Sequence, residues 1–324
     1  MKAQYFTNRA LHVALFGWLS LQIPAPPPPA PTTYQEFAIS REVDFVVLPV
    51  TVRNHEGKFV SSLEASNFQV YENGHRQAVS LFRSEDTPVT LGLVVDRSGS
   101  MAARSNDVVE GALAFVESSN PQDREFVINF TESVKPGLPA NIPFTSDTNE
   151  LRTALSSSVS GGKTALYDAL AAALRHLDSS QAGKKVLILI SDGGDNASQS
   201  NFAQVLHMAQ SANVVIYTIG LYDEHSSDQN PKILRQLAKE TGGLDFSPNS
   251  SEDVVRVCRQ IAGDVRHQYT LGYSPTDAGR NTYRKIHVEA SSANYGKLSV
   301  RTRAGYFPSA NRQTESLIQQ GAKQ

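Results

Sequence analysis

The amino-acid sequence predicts an α/β protein in which a doubly wound, mainly parallel sheet is inserted between two β segments. Between residues 89 and 266, short apolar runs alternate with stretches whose apolar residues recur at helical spacing. Residues 36–88 and 267–308 instead carry β-branched and aromatic runs separated by turn residues. Apolar residues make up 40% of the 324 residues, which is enough for a packed core and excludes wholesale disorder.

Charge and cysteine content exclude several classes of function. The chain carries 30 Lys and Arg against 32 Asp and Glu, and its formal net charge of −2 predicts no nucleic-acid partner. Cys258 is the only cysteine, which excludes an intrachain disulfide and a cysteine-rich zinc or iron–sulfur site. No apolar run in the sequence reaches the roughly 18 to 20 residues of a membrane-spanning helix.

Residues 1–25 are typical of a signal peptide or an N-terminal anchor, because basic residues precede a short apolar run that lacks acidic residues. Cleavage after Ala25 would leave Pro26 directly after the cut, and proline there disfavours cleavage. Two alternatives to a cleaved signal therefore remain: an uncleaved segment associated with a membrane, and a buried N-terminal helix. Residues 26–35 form a proline-rich linker. We therefore expect an exported protein that is periplasmic, part of the cell envelope or secreted.

The N-terminal β segment, residues 36–88, predicts a strand over 43–52 and a hairpin around Asn73–Gly74. The hairpin would join a strand over 68–71 to a strand over 78–82.

The α/β domain, residues 89–266, alternates buried strands with amphipathic helices. The apolar runs predict strands over 89–95, 126–130, 185–190 and 214–219. Helical spacing predicts helices over 108–116, 166–177, 203–212, 233–238 and 254–265. Such alternation implies a sheet covered by helices on both faces.

The C-terminal β segment, residues 267–308, predicts strands over 269–273, 283–290 and 297–302, and a polar tail follows over 309–324. Each β segment is small for a stable sheet on its own. We therefore expect the two segments to pair and to form one small β-sandwich domain.

Oxygen-bearing side chains mark three loops of the α/β domain. The set is Asp96, Ser98 and Ser100 after the first strand, Thr164 before a helix, and Asp192 after the third strand. Ligands bind outside the carboxyl ends of the strands in open α/β sheets. Hydroxyl and carboxylate oxygens are hard ligands, so the set suits Mg²⁺, with Mn²⁺ or Ca²⁺ as alternatives, rather than zinc or copper.

The spacing within the first loop has a physical reason. Alternate side chains of a short extended stretch face the same way, so Asp96, Ser98 and Ser100 can converge on one point. Gly99 permits a tight turn between them. Two aspartates and neutral hydroxyls leave a divalent cation undercompensated, so an open coordination position would attract a carboxylate from another molecule. The pattern predicts a metal-dependent binding site.

These residues resemble the metal-ion-dependent adhesion site of von Willebrand factor type A domains. All five positions match, and the resemblance covers about residues 89–266. It implies that the serines and the threonine coordinate the metal, that the aspartates contribute directly or through water, and that a protein partner presents an Asp or Glu carboxylate. The motifs at 68–74 (FQVYENG), 269–273 (YTLGY) and 303–306 (RAGY) look like the acidobacterial-type VWFA-related family of exported bacterial proteins.

Simpler roles stay open for single members of the set. Asp96 or Thr164 could only cap a helix, and Asp192 could only form a turn. Asp168 and Asp195 are expected to be surface or helix-end charges.

Enzymatic alternatives fail on spacing, so we expect no enzyme. Residues 162–164 imitate the end of a phosphate-binding loop, but that motif needs a glycine where Ser157 stands. A nucleophile elbow around Ser98 would need a glycine in place of Asp96. Cys258 lies on the apolar face of the last helix and is expected to be a core residue.

The expected function is that of an exported, metal-dependent adhesion or interaction module that captures a partner carboxylate. The alternative is a structural or assembly component of a bacterial envelope complex in which the metal only stabilises the loops. The resemblance also implies that the last helix, about residues 251–266, could transmit ligand binding to the β domain by moving.

Overall fold

The computed structural model describes residues 45–84, 86–156, 160–180, 183–223, 228–276 and 282–308. The predicted signal peptide or anchor over 1–25, the linker over 26–35 and the polar tail over 309–324 lie outside the described residues. Within the described ranges, no helix has the length and apolarity that crossing a membrane requires.

The strands, in chain order, are β1 Val46–Arg53, β2 Phe68–Glu72, β3 His75–Gln77, β4 Leu81–Arg83, β5 Thr90–Asp96, β6 Arg124–Phe130, β7 Val134–Pro136, β8 Lys185–Ser191, β9 Val214–Gly220, β10 Asp245–Phe246, β11 Gln268–Tyr273, β12 Arg284–Ala290, β13 Ser299–Arg301 and β14 Gly305–Tyr306. The α-helices are α1 Ser105–Glu117, α2 Thr148–Ser156, α3 Leu166–Asp178, α4 Phe202–Ser211, α5 Pro231–Thr241 and α6 Ser251–Arg266.

The central sheet has the strand order β10-β9-β8-β5-β6-β7. Its strands are parallel except β7, which runs antiparallel to β6. Every residue of β5, β8 and β9 is buried, as expected of strands that are covered on both faces. At Gly92 in β5 a side chain would collide with Phe126 and Leu187, so the glycine permits the close packing around the middle of the sheet.

The helices form two packed groups. α1 contacts α2 and α6, whereas α4 contacts α3 and α5. Their apolar faces join the strands in one core, which includes Leu113, Leu170, Val205, Leu237 and Ile261. This arrangement confirms the predicted α/β class with a mainly parallel sheet.

Two antiparallel sheets flank the central sheet, with the orders β13-β1-β11-β4 and β14-β12-β2-β3. β1 pairs with β11 and β2 pairs with β12, so each sheet joins strands from both sides of the α/β domain. The two sheets share a separate apolar core that includes Leu48, Val70, Leu271 and Val288. The expected pairing of the two β segments is therefore confirmed.

The hairpin prediction around Asn73–Gly74 is wrong in its second strand. Both turn residues have positive φ angles, 49° and 82°, which suit a two-residue hairpin turn. Such a turn pairs the residues directly beside it, so β2 pairs with β3 rather than with residues 78–82. Residues 81–83 instead form β4, which pairs with β11 in the other sheet. The periodicity also did not indicate α2 or the short strands β7, β10 and β14.

Candidate functional site

The three loops predicted to hold a cation meet at the carboxyl edge of the central sheet. β5 and β8 are parallel neighbours, with Val95 opposite Ile190, so the residues after them leave the sheet side by side. Ser191 Oγ donates a hydrogen bond of 2.6 Å to Asp96 Oδ2. The register of the sheet thus brings Asp96 next to the loop that carries Asp192.

The loop after β5 gathers the side chains of the Asp-x-Ser-x-Ser pattern. The amide of Ser98 donates to Asp96 Oδ1 at 2.9 Å, and the Oγ atoms of Ser98 and Ser100 lie 3.2 Å apart. Asp96 and Ser98 are each 1% exposed, so the carboxylate and the first hydroxyl are enclosed by the protein. The three side chains therefore converge, and their binding of a metal stays a prediction.

Backbone hydrogen bonds tie the loop of Thr164 to the Asp96 loop. The amide of Gly99 donates to the carbonyl of Gly162 at 3.2 Å, and the amide of Gly161 donates to the carbonyl of Arg97 at 2.7 Å. Gly162 has a φ of +82°, a conformation that favours glycine. These contacts hold the loop against the end of β5, where Thr164 is buried at 6% exposure.

Asn196 and Gly194 orient the remaining two predicted ligands. Asn196 Oδ1 accepts the amide hydrogen of Thr164 at 2.9 Å, and the carbonyl of Thr164 accepts the amide of Asn196 at 3.0 Å. Asp192 Oδ1 accepts the amide of Gly194 at 2.9 Å. The loop after β8 thus positions both its own aspartate, which is 2% exposed, and the threonine of the neighbouring loop.

Burial dominates the electrostatics of this edge. Desolvation raises the pKa of the Asp96 carboxyl to about 6, although hydrogen bonds from Ser191 and Ser98 lower it and the charge of Asp192 raises it further. Two buried carboxylates close together are destabilising unless a positive charge compensates them. A divalent cation held by this set of residues would supply that charge.

The donor set fits a hard cation. It comprises two carboxylates and three hydroxyls and contains neither imidazole nor thiolate. Within the described ranges, no group of three or more His, Cys, Asp and Glu side chains is arranged to hold a metal ion. Any ion held here would therefore depend on the hydroxyls of Ser98, Ser100 and Thr164 as well as on the two carboxylates.

Sequence reasoning missed three residues that shape the site. Ser191 holds Asp96 and Asn196 holds Thr164. The one signal in the sequence for these two residues is that they lie within four residues of Asp192. Glu132, in the loop between β6 and β7, lies where a side chain on Gly162 would otherwise be. Hydrogen bonds from its own amide and from the amide of Lys163 lower the pKa of Glu132, so this exposed carboxylate is ionised at the rim of the site.

Asp168 and Asp195 organise the loop after β8. Asp168 lies at the start of α3 and accepts hydrogen bonds of 2.9 Å from the amides of Gln199 and Ser200. Asp195 Oδ1 accepts from Ser198 Oγ at 2.5 Å. Both carboxylates therefore hold the loop in shape.

Sequence comparison relates the central domain to a known family. The sequence model of the von Willebrand factor type A domain matches residues 91–257, more than half of the 324 residues. An uncharacterized protein of Borreliella burgdorferi is 31% identical over 107 residues, covering 28% of this chain and 31% of that protein. The chain thus spans about a third of the length of the curated relative it matches.

Two solved structures resemble this chain to different degrees. A von Willebrand factor type A structure from Catenulispora acidiphila has a TM-score of 0.51 at 14% identity, covering 88% of this chain and 79% of that chain. The vWF domain of the type V pili tip protein Mfa5 from Porphyromonas gingivalis has a TM-score of 0.46 at 15% identity, covering 56% of this chain and 97% of that chain. The likeness to the Catenulispora structure shows a shared fold.

Proposed function

Because the chain belongs to the von Willebrand factor type A domain family, we propose that it is a metal-dependent interaction or adhesion module. The observation that supports this function is the meeting of three loops at the carboxyl edge of the sheet. There Asp96, Ser98, Ser100, Thr164 and Asp192 contribute two carboxylates and three hydroxyls. The proposed ion is Mg²⁺, with Mn²⁺ and Ca²⁺ as alternatives, and the proposal assigns no catalytic reaction to the chain.

The proposed partner is a protein that presents an Asp or Glu carboxylate. When bound, the cation would supply a Lewis-acidic position for one oxygen of that carboxylate. The chain's own residues would hold the ligand oxygens still: Ser191 and the Ser98 amide orient Asp96, and Asn196 positions the Thr164 backbone. Preorganisation of this kind lowers the entropic cost of binding both the ion and the partner.

The proposed location is outside the cytoplasm, in the periplasm, in the cell envelope or secreted. It is supported by the signal-like composition of residues 1–25, which would also allow membrane association if the segment were retained. The motifs over 68–74, 269–273 and 303–306 support the acidobacterial-type VWFA-related group, and this finer assignment is likewise a proposal.

Calorimetric titration of Mg²⁺ into the protein and into Ser98→Ala tests the proposed function. We expect saturable one-to-one binding that the substitution abolishes. Ser179→Ala is the matched control, because Ser179 is an exposed serine at the end of α3 whose Oγ donates to the carbonyl of His176. The absence of saturable binding by the unsubstituted protein, or equal binding by both variants, would contradict the proposal.

The alternative, a structural component in which the metal only stabilises the loops, predicts a different outcome. Under that alternative Ser98→Ala would lower the melting temperature in Mg²⁺ and leave partner capture by the folded protein intact. Under the proposed function Ser98→Ala would keep the melting temperature that the unsubstituted protein has without Mg²⁺. The variant would lose partner capture, and EDTA would abolish partner capture by the unsubstituted protein.

A further inference from the structure

A cleft of about 330 Å³ lies between α1 and α2, next to the loop that carries Asp96. None of the five proposed metal ligands lines it. Its polar lining residues are Arg97, Ser105, Asn106, Glu110, Arg152 and Ser156. The proposed metal-binding function does not use this cleft.

Arg97 is one of the residues that line the cleft. The side chain is buried at 2% exposure. Its Nε donates to Asn129 Oδ1 at 3.2 Å, its Nη1 donates to Ser105 Oγ at 2.8 Å, and its Nη2 donates to the carbonyl of Leu155. Ser105 and Leu155 line the cleft whereas Asn129 does not, so the Nη end of the guanidinium faces the cleft.

Within the described ranges, this buried cation has no ion pair. Among the described residues, no carboxylate oxygen lies within the 4.0 Å of a salt bridge from its nitrogens. A guanidinium has five N–H donors, and the three hydrogen bonds above use only three of them. Burial lowers the pKa of Arg97, although the charge of Asp96 opposes the decrease. A buried guanidinium with unused donors is most stable when an anion completes its hydrogen bonding.

The mouth of the cleft carries one charge of each sign. Arg152 on α2 is exposed and adds a second guanidinium, whereas Glu110 on α1 is exposed and would repel an anion. Ser105, Asn106 and Ser156 add neutral polar groups. The cleft is large enough for a group of the size of a phosphate or a carboxylate, and its two guanidinium groups suit planar or tetrahedral oxyanions.

We propose that this cleft is a binding site for a small oxyanion, with Arg97 as the buried donor and Arg152 as the exposed donor. The proposal is independent of the metal site: it predicts anion binding whether or not Mg²⁺ binds. The shared chemistry of the ligand is that of a phosphate or a carboxylate.

The test is titration of sodium phosphate, and separately of sodium acetate, into the full chain at constant ionic strength, followed by calorimetry. We expect saturable binding of at least one of the two anions below about 20 mM. Arg152→Glu should weaken it by at least about tenfold, and Glu110→Gln should strengthen it about two- to fivefold. Preference for phosphate or for acetate would identify the class of oxyanion, and either preference supports the site.

Arg259→Glu is the matched control, because Arg259 is an exposed arginine on α6 that does not line the cleft. It should bind the anion as the unsubstituted protein does. The proposal is overturned if neither anion binds saturably, or if Arg152→Glu and Arg259→Glu change the affinity equally, which would mark an adventitious ion only. Arg97→Lys should also weaken binding. The substitutions of the exposed residues Arg152 and Glu110 do not disturb the core, so they test the site even if Arg97→Lys fails to fold.

Discussion

At the scale of the residue, Ser191 decides the orientation of Asp96. Its hydroxyl donates to the carboxylate at 2.6 Å, and the serine is fully buried at the end of β8. The other carboxylate oxygen accepts the amide of Ser98. One donor follows the end of β5 and the other lies at the end of β8, so both oxygens of Asp96 are held and the carboxylate is fixed in one position.

Ser191→Ala should therefore weaken Mg²⁺ binding by about tenfold, because groups that orient metal ligands typically contribute tenfold or more to affinity. Calorimetric titration of Mg²⁺ measures this change, with Ser179→Ala as the control at an exposed serine. An unchanged affinity in the folded Ser191→Ala variant would show that Asp96 does not need this hydrogen bond to bind the ion.

Glu125 in β6 is a buried carboxyl that has no predicted role in binding. Its residue is 2% exposed, and Oε2 has no hydrogen-bond partner in the described part of the chain. Burial raises the pKa of Glu125 from 4.5 to about 7; a hydrogen bond from Ser119 lowers it, the charge of Asp123 raises it and that of Arg266 lowers it. The folded state therefore binds a proton that the unfolded state releases between these two pH values.

It follows that stability should fall as the pH rises from about 4.5 to about 7, by an amount of order 3 kcal/mol for a shift of this size. Glu125→Gln keeps the shape and removes the titration, so the variant should be more stable than the unsubstituted protein at about pH 8. Urea unfolding between about pH 5 and pH 8 measures how the free energy of unfolding changes with pH in the unsubstituted protein and in Glu125→Gln. The Asp96 carboxyl, whose pKa is also raised, makes stability fall with pH in the same direction. The pH dependence of stability should therefore be smaller in Glu125→Gln but should not vanish.

The control is Glu117→Gln, an exposed glutamate at the end of α1, which should leave the pH dependence unchanged. Equal slopes in the protein and in Glu125→Gln would show that the buried carboxyl does not titrate in this range.

At the scale of the element, α6 is tied to the β sandwich at its C-terminal end. Asp264 is fully buried and accepts hydrogen bonds from Tyr217 Oη at 2.5 Å, from Arg53 Nη2 at 3.2 Å and from Arg301 Nη2. These donors lie on β9, β1 and β13. The predicted movement of α6 would have to break or carry along this cluster, and it stays a prediction.

Asp264→Asn should destabilise the protein by about 3–5 kcal/mol, because it leaves the two arginines without their buried carboxylate. Asp253→Asn on the same helix is the control: its ion pair with the exposed Arg256 has an N–O distance of 2.6 Å and should contribute less than about 1 kcal/mol. Urea unfolding of both variants separates the two cases. Similar losses for both would indicate that the buried cluster is no stronger than a surface ion pair.

At the scale of the whole molecule, Glu72 joins the two sheets of the β sandwich. Its Oε1 accepts from Arg284 Nη1 at 2.9 Å, and its Oε2 accepts from the hydroxyls of Tyr273 at 2.6 Å and Tyr306 at 2.8 Å. Burial raises the pKa of both tyrosines, so both hydroxyls remain donors. The motifs FQVYENG, YTLGY and RAGY, which are far apart in the sequence, thus meet in one buried polar cluster.

Glu72→Gln should lower the stability of the sandwich by about 3–5 kcal/mol, because it removes the carboxylate of a buried ion pair with Arg284, which is itself 3% exposed. Hydrogen exchange should rise in β2, β11 and β12, while β5 and β8 in the central sheet keep their protection. Glu289→Gln, at an exposed pair with His287 on β12, is the control. Equal loss of protection in both sheets would show that the two cores unfold as one unit.

The sequence by itself determined the elements whose signal is local. Runs of apolar residues and helical spacing indicated the buried strands β5, β6, β8 and β9 and most helices, because these periodicities follow from burial of one or both faces. The pattern around Asp96, together with Thr164 and Asp192, also indicated which side chains would meet, since parallel strands place their carboxyl ends at one edge. Short elements such as β3 and β10 carry too few residues for such a signal.

Only the tertiary structure decided which distant residues contact one another. Arg53 lies 211 residues from Asp264, and Glu72 lies 201 residues from Tyr273, so no local pattern could indicate either contact. The cleft over Arg97 likewise exists only because α1 and α2 pack beside the end of β5. Burial turns these polar contacts into strong constraints, because an unpaired charge in the interior is costly, and burial is a property of the packed chain rather than of any segment.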